Sequence, residues 1–252
     1  MVIKKLFLVL IFIVVLSSCS YIRMLDLNMV DYYSDNTKRL SYGNPEKYRN
    51  VTYGMCLDLF RKKNYKDSFT CSHYAYMNSE SPYSAAVNLL HKFKSAYYFG
   101  AYNYIINNFQ EYKIYMDEFE GLSYEFLLIL AKSYKSKIID IDRNVYPNAK
   151  YAFMTLEKIL NNEDKVPEFI YSQALYEMDK LLDIMERHEE YVAQFYKRTN
   201  QAVASNSRLK YKTVVASYRE EFNYSKQKYE EKLAYINKKF TPFGSRKHKL
   251  IQ

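Results

Sequence analysis

Histidines, cysteines and neighbouring acids are the residues of this chain that could do chemistry, and their spacing argues against catalysis. His73, His91, His188 and His248 form no HExxH-type pair for a metal-assisted hydrolase. There is no G-x-S-x-G segment, and the 5 glycines stand too far apart to make a phosphate-cradling loop. Glu189-Glu190 and Glu220-Glu221 are sequence neighbours, so on a helix their side chains diverge rather than converge on one proton. Both pairs are expected on solvated faces. Cys56 and Cys71 are expected as two small buried thiols, with a disulfide left open, because spacing alone does not orient their Cβ atoms. His73 and His91 lack the spacing that would join those cysteines in a zinc site. The expectation is a non-enzyme with neither metal nor cofactor.

Charge offers recognition instead. The net charge is +9, and from Ala204 to Gln252 there are 12 Lys or Arg against 4 Glu. Such a segment suits nucleic acid, anionic lipid or an acidic protein surface, or is simply a solvated helix face. Arg198, Arg208, Lys210, Lys212 and Arg219 are the candidate partner-binding cations. Asp140, Asp142 and Arg143 belong to a charged loop in which an internal pair stabilising the turn is the expected role. His188, on an apolar stripe, is expected as a hydrogen-bonded interior histidine.

The elements that must position these residues are helices. With 5 Gly and 5 Pro the chain is poor in turn formers, while 48% of it is apolar. Ile170, Ala174, Met178, Leu181, Met185, His188, Val192 and Phe195 recur at steps of three and four, predicting one helix over 167–198, roughly 48 Å long. Upstream the pattern predicts helices over 48–61, 65–77, 83–98, 102–116, 119–139 and 147–160; downstream, over 203–218 and 222–240. Met55, Leu59, Phe60, Phe69 and Ala75 are expected to face inward in the first two. Cys56 and Ser68 stand at positions that tetratricopeptide repeats keep small so that paired helices approach closely. Helical pairs recurring at this spacing predict an all-α, tetratricopeptide-like solenoid of about five pairs over 46–240. A non-repetitive helical bundle is the alternative.

The N-terminus carries Lys4-Lys5, the apolar run Leu6 to Leu16, and then Leu16-Ser17-Ser18-Cys19. It resembles a bacterial lipoprotein signal, which implies cleavage after residue 18 and covalent lipid on Cys19. Residues 19–45 are then expected to be an extended tether, and 241–252 a frayed basic tail.

Several segments together resemble the BamD (ComL) family of outer-membrane β-barrel assembly lipoproteins, over about residues 46–240. Ser81-Pro82-Tyr83 matches the link between its first two repeats. Asp140-Ile141-Asp142-Arg143, followed by Ala152 and Leu156, is similar to its third repeat. His188-Glu189-Glu190-Tyr191-Val192-Ala193-Gln194-Phe195-Tyr196-Lys197-Arg198 follows its fourth repeat nearly position by position, continued by Lys210 to Val215. Asn144 stands where the family commonly has Asp, and Lys210 where it has Arg. The resemblance implies an outer-membrane scaffold facing the periplasm. Its N-terminal repeats would meet unfolded outer-membrane proteins, and its C-terminal repeats would dock a BamA-type barrel protein. Nucleic acid is not an expected partner. A different repeat lipoprotein, an adaptor in cell-wall or secretion complexes, is the second reading.

Overall fold

Apolar residues at three- and four-residue steps become helices throughout. The computed structural model describes residues 36–115, 118–138 and 145–240, and there the chain forms helices and turns only. The helices are α1 Tyr53–Arg61, α2 Tyr65–Met77, α3 Pro82–Phe99, α4 Tyr102–Asn107, α5 Phe109–Lys113, α6 Glu120–Ser136, α7 Val145–Leu160, α8 Glu168–Arg198 and α9 Ala202–Phe240. The fold is all-α, with sequence-adjacent helices packed on one another as a helical-repeat chain requires. The chain divides into two compact units, Met1–Glu177 and Met178–Gln252, so the boundary falls within α8.

In the first unit α1 packs on α2, α2 on α3, α3 on α6, and α6 on α7. The core gathers Phe69, Leu89, Leu90, Phe93, Ile105, Tyr112, Phe126, Ile129 and Leu130. Each such buried large side chain contributes roughly 1.5–3 kcal/mol. Helix ends are set by local chemistry. Ser81 and Ser84 cap each other's backbone at the start of α3, and Gly100, at φ +82°, ends it in the left-handed conformation.

Cys56 and Cys71 are joined in a disulfide, with Cα atoms 5.3 Å apart. The expectation of two free thiols is corrected. Ser68 Oγ donates to the Cys56 carbonyl at 3.0 Å, so the small pair lets α1 and α2 approach, and that approach brings the two sulfurs together.

Other expectations shift for local reasons. The helix expected over 48–61 is a 3-10 turn, Pro45–Tyr48, and then α1, because Thr52 adopts extended backbone and accepts a hydrogen bond from Met55 N–H. Met55 points outward, 53% exposed. The helix expected over 102–116 breaks at Asn108, whose side-chain amide donates to the Tyr104 carbonyl at 2.7 Å. The two helices expected after residue 203 are one helix of 39 residues, since nothing in Arg219-Glu220-Glu221 interrupts it.

The tether expected over 19–45 is also revised. Its last part is clamped to the body: Asn36 N–H donates to the Gly100 carbonyl at 2.8 Å, and Tyr104 N–H donates to Thr37 Oγ1 at 2.8 Å. Cys19, the signal segment, the Asp140, Asp142 and Arg143 loop and the tail 241–252 lie outside the described residues. Among the described residues no helix is long and apolar enough to cross a membrane.

Candidate docking surfaces

In the second unit the candidate cations of α9 face a row of acids on α8. Asp179, Asp183, Glu186 and Glu190 recur at steps of four, three and four, which places them along one side of α8. Arg219 is the central partner: its Nε donates to Glu186 at 2.6 Å and one Nη to Asp179 at 3.3 Å, while the other Nη lies 3.9 Å from Asp183. Lys226 reaches Asp179 at 3.4 Å, and Lys212 donates to Glu190 at 2.9 Å. That hydrogen bond holds the Glu190 carboxyl below its ordinary pKa.

Arg208 lies 3.5 Å from both carboxylate oxygens of Glu189. Glu189 is 0% exposed, which overturns its expected place on a solvated face. Nearby, Ser205 Oγ donates to the Ala193 carbonyl at 2.9 Å, so two small residues bring α8 and α9 together and bury the carboxylate between them. His188 is buried as expected. The apolar stripe rotates at its C-terminal end: Ala193 is buried, whereas Phe195 is 51% exposed.

Of the five candidate cations, Arg208, Lys212 and Arg219 therefore hold α9 onto α8 within this chain. Arg198 Nε donates to the Gln194 carbonyl of its own helix, and Lys210 is exposed. The acids that answer them were missed as a set. Their signal was present, because Asp179, Asp183, Glu186 and Glu190 on one helix and Arg208, Lys212, Arg219 and Lys226 on the next keep matching helical intervals. Among the exposed residues of α9, Val203, Tyr211, Val214 and Tyr218 fall on one side of the helix, an apolar strip of the kind found in surfaces that meet a protein partner.

The first unit carries an open pocket of about 500 Å³. Its lining includes Tyr83, Phe119, Leu122, Glu125, Phe169 and Ile170. These residues come from the N-terminal turns of α3, α6 and α8, and from Phe119 just before α6. The rings of Tyr83 and Phe119 meet edge to face at 5.5 Å, and Phe169 is 68% exposed. Glu125 is paired with Lys94 at 2.5 Å. The pocket can seat an apolar or aromatic side chain, with orientation supplied by a few polar groups. No periodicity argument singles out these aromatics, since they sit at helix starts where the apolar pattern is just beginning.

Among the described residues no group of three or more His, Cys, Asp or Glu is placed to hold a metal ion. Comparison with protein-family models, curated proteins and solved structures finds no match for this chain.

Proposed function

We propose that this chain is a non-enzymatic scaffold of the BamD kind, lipidated at Cys19 and held at the outer membrane facing the periplasm. It would promote folding and insertion of β-barrel proteins by binding unfolded clients and a BamA-type partner. The observation that carries the reading is the segment 188–198, whose family-like residues fold into a hairpin with α9 that buries Glu189 against Arg208. The same residues form the C-terminal turns of α8, on which the beginning of α9 packs.

Two further features support it. A Cys56–Cys71 disulfide suits an oxidising compartment such as the periplasm. The aromatic pocket suits a side chain of an extended client. The exposed face of Val203, Tyr211, Val214 and Tyr218, with Lys210 beside it, is the surface assigned to the barrel partner. Pull-down of the full chain from detergent-solubilised outer membranes tests the reading. Recovery of a barrel protein, lost on Lys210→Glu, supports it; recovery of cell-wall or secretion components instead favours the adaptor reading. Mass spectrometry of the mature N-terminus tests the lipid on Cys19, and Cys19→Ala is expected to release the protein from the membrane.

A further inference from the structure

The positive charge of the C-terminal fifth divides along α9. Arg208, Lys212, Arg219 and Lys226 are answered by acids of α8, so the first part of the helix uses these cations to hold the second unit together. Past Lys226 the balance differs. Residues 227–252 carry six Lys and one Arg against Glu230 and Glu231, a net charge of +5. Lys228, Lys232, Lys238 and Lys239 belong to the last turns of α9, and Arg246, Lys247 and Lys249 follow it in sequence.

Those last turns also carry a pattern. Tyr224, Lys228, Lys232, Tyr235 and Lys239 recur at steps of four, four, three and four, which is one stripe on a helix. By the same spacing the stripe lies roughly opposite Arg208, Arg219 and Lys226, the cations that meet α8. Tyr224 is 61% exposed, and the Lys228 ammonium stands 4.4 Å from the centre of its ring. Glu231, at the flank of the stripe, accepts a hydrogen bond from Gln227 at 2.9 Å. Tyrosine has an apolar body and a polar tip, and lysine a carbon stem ending in charge. Both therefore suit a bilayer interface, with carbon toward the acyl chains and the polar end among headgroups. The sequence beyond α9 keeps the mixture, with Phe243, Leu250 and Ile251 set among the cations.

We propose that the C-terminal end of α9, together with 241–252, binds an anionic phospholipid surface. Cation identity favours lipid over nucleic acid or an acidic protein. Bidentate recognition of phosphate or carboxylate calls for the planar fork of Arg, whereas six of the seven cations here are Lys. A membrane surface potential acts on any cation and demands no fixed geometry, each one near the surface raising affinity roughly fivefold. The site follows the Val203 to Tyr218 strip along the helix without overlapping it. The inference stands whether or not the chain serves barrel assembly or carries lipid on Cys19.

The test is co-sedimentation of the full chain carrying Cys19→Ala, which removes any acyl anchor, with vesicles of phosphatidylcholine alone or with about 30% phosphatidylglycerol. The apolar run Leu6 to Leu16 meets both vesicles alike, so the preference between them is the reading. At about 0.1 M salt the chain is expected to favour the anionic vesicles at least about a hundredfold, and at about 1 M salt to lose that preference. The variant Lys238→Gln, Lys239→Gln, Lys247→Gln, Lys249→Gln is expected to reduce the preference at least about tenfold. Tyr224→Ser, at an exposed position, is expected to weaken binding severalfold with helicity unchanged, and Lys210→Gln to leave it as it was. Recovery of a barrel protein should follow the opposite pattern, lost on Lys210→Glu and kept in the quadruple variant, so the two readings fail separately. Equal sedimentation with both vesicles overturns the proposal, as does a quadruple variant that binds undiminished. Tighter binding of a single-stranded oligonucleotide at the same salt also overturns it and assigns the cations to nucleic acid.

Discussion

Arg208 reaches across from α9 to place its guanidinium 3.5 Å from both oxygens of the fully buried Glu189 carboxylate. The arginine side chain is 34% exposed and the glutamate 1%, so the pair is asymmetric: one member keeps its water and the other depends on its partner. Removing Arg208 strands a buried charge, whereas removing both leaves a small apolar gap.

Arg208→Ala is accordingly expected to cost about 2 kcal/mol, less than the roughly 3–5 kcal/mol of a fully buried pair because the guanidinium is partly solvated. Glu189→Ala with Arg208→Ala is expected to cost less than the sum of the two single changes. Urea unfolding of the four proteins in a double-mutant cycle measures the coupling. An additive result refutes the role assigned to the pair.

Arg219 meets Asp179, Asp183 and Glu186 at once, a fork that the single ammonium of lysine does not reproduce. Arg219→Lys is therefore expected to loosen α9 nearly as much as Arg219→Ala does. These pairs are partly solvated, so raising salt from about 0.05 M to about 1 M screens them. Amide exchange along 202–230 is expected to speed up with salt, while exchange in α3 and α6 changes little. Uniform behaviour across the chain would argue against an ionic attachment of α9.

The Cys56–Cys71 disulfide closes a separation of 15 residues, for which loop-closure entropy gives roughly 3 kcal/mol. Reduction, or Cys56→Ala with Cys71→Ala, is expected to lower stability by about 2–3 kcal/mol. The urea midpoint with and without reductant reads this directly, and the double variant should show no response to reductant.

Burial first, and the Lys92 ammonium second, depress the His73 pKa to about 4. The unfolded chain takes up that proton near pH 6.5, and the folded chain does so only near pH 4. Stability is thus expected to be full above about pH 6.5 and to fall as pH drops toward about 4, by about 1–2 kcal/mol after allowing for solvent screening. His91 is depressed in the same direction by burial, so His73→Gln should reduce the acid slope without abolishing it. Thermal unfolding from pH 4 to 8 compares the two proteins, and an unchanged slope removes His73 from the account.

What the sequence determined by itself is helicity, helix pairing and the long α8, because a 3.6-residue apolar period and the scarcity of Gly and Pro act within a few turns of chain. The small pair Cys56 and Ser68 was legible for the same reason, and so was the interior place of His188. Tertiary structure alone decided which side of each helix met a neighbour. Periodicity draws a stripe but does not say where along it a neighbouring helix ends, so Phe195 stays exposed while Ala193 and Glu189 are buried. Nor does a count of cations reveal that Arg208, Lys212 and Arg219 are answered from α8, since those acids lie 19, 22 and 33 residues away. Long-range pairing of this kind, the Cys56–Cys71 bond and the clamped end of the tether all depend on where Cβ vectors point after helices have packed, and no local pattern carries that information.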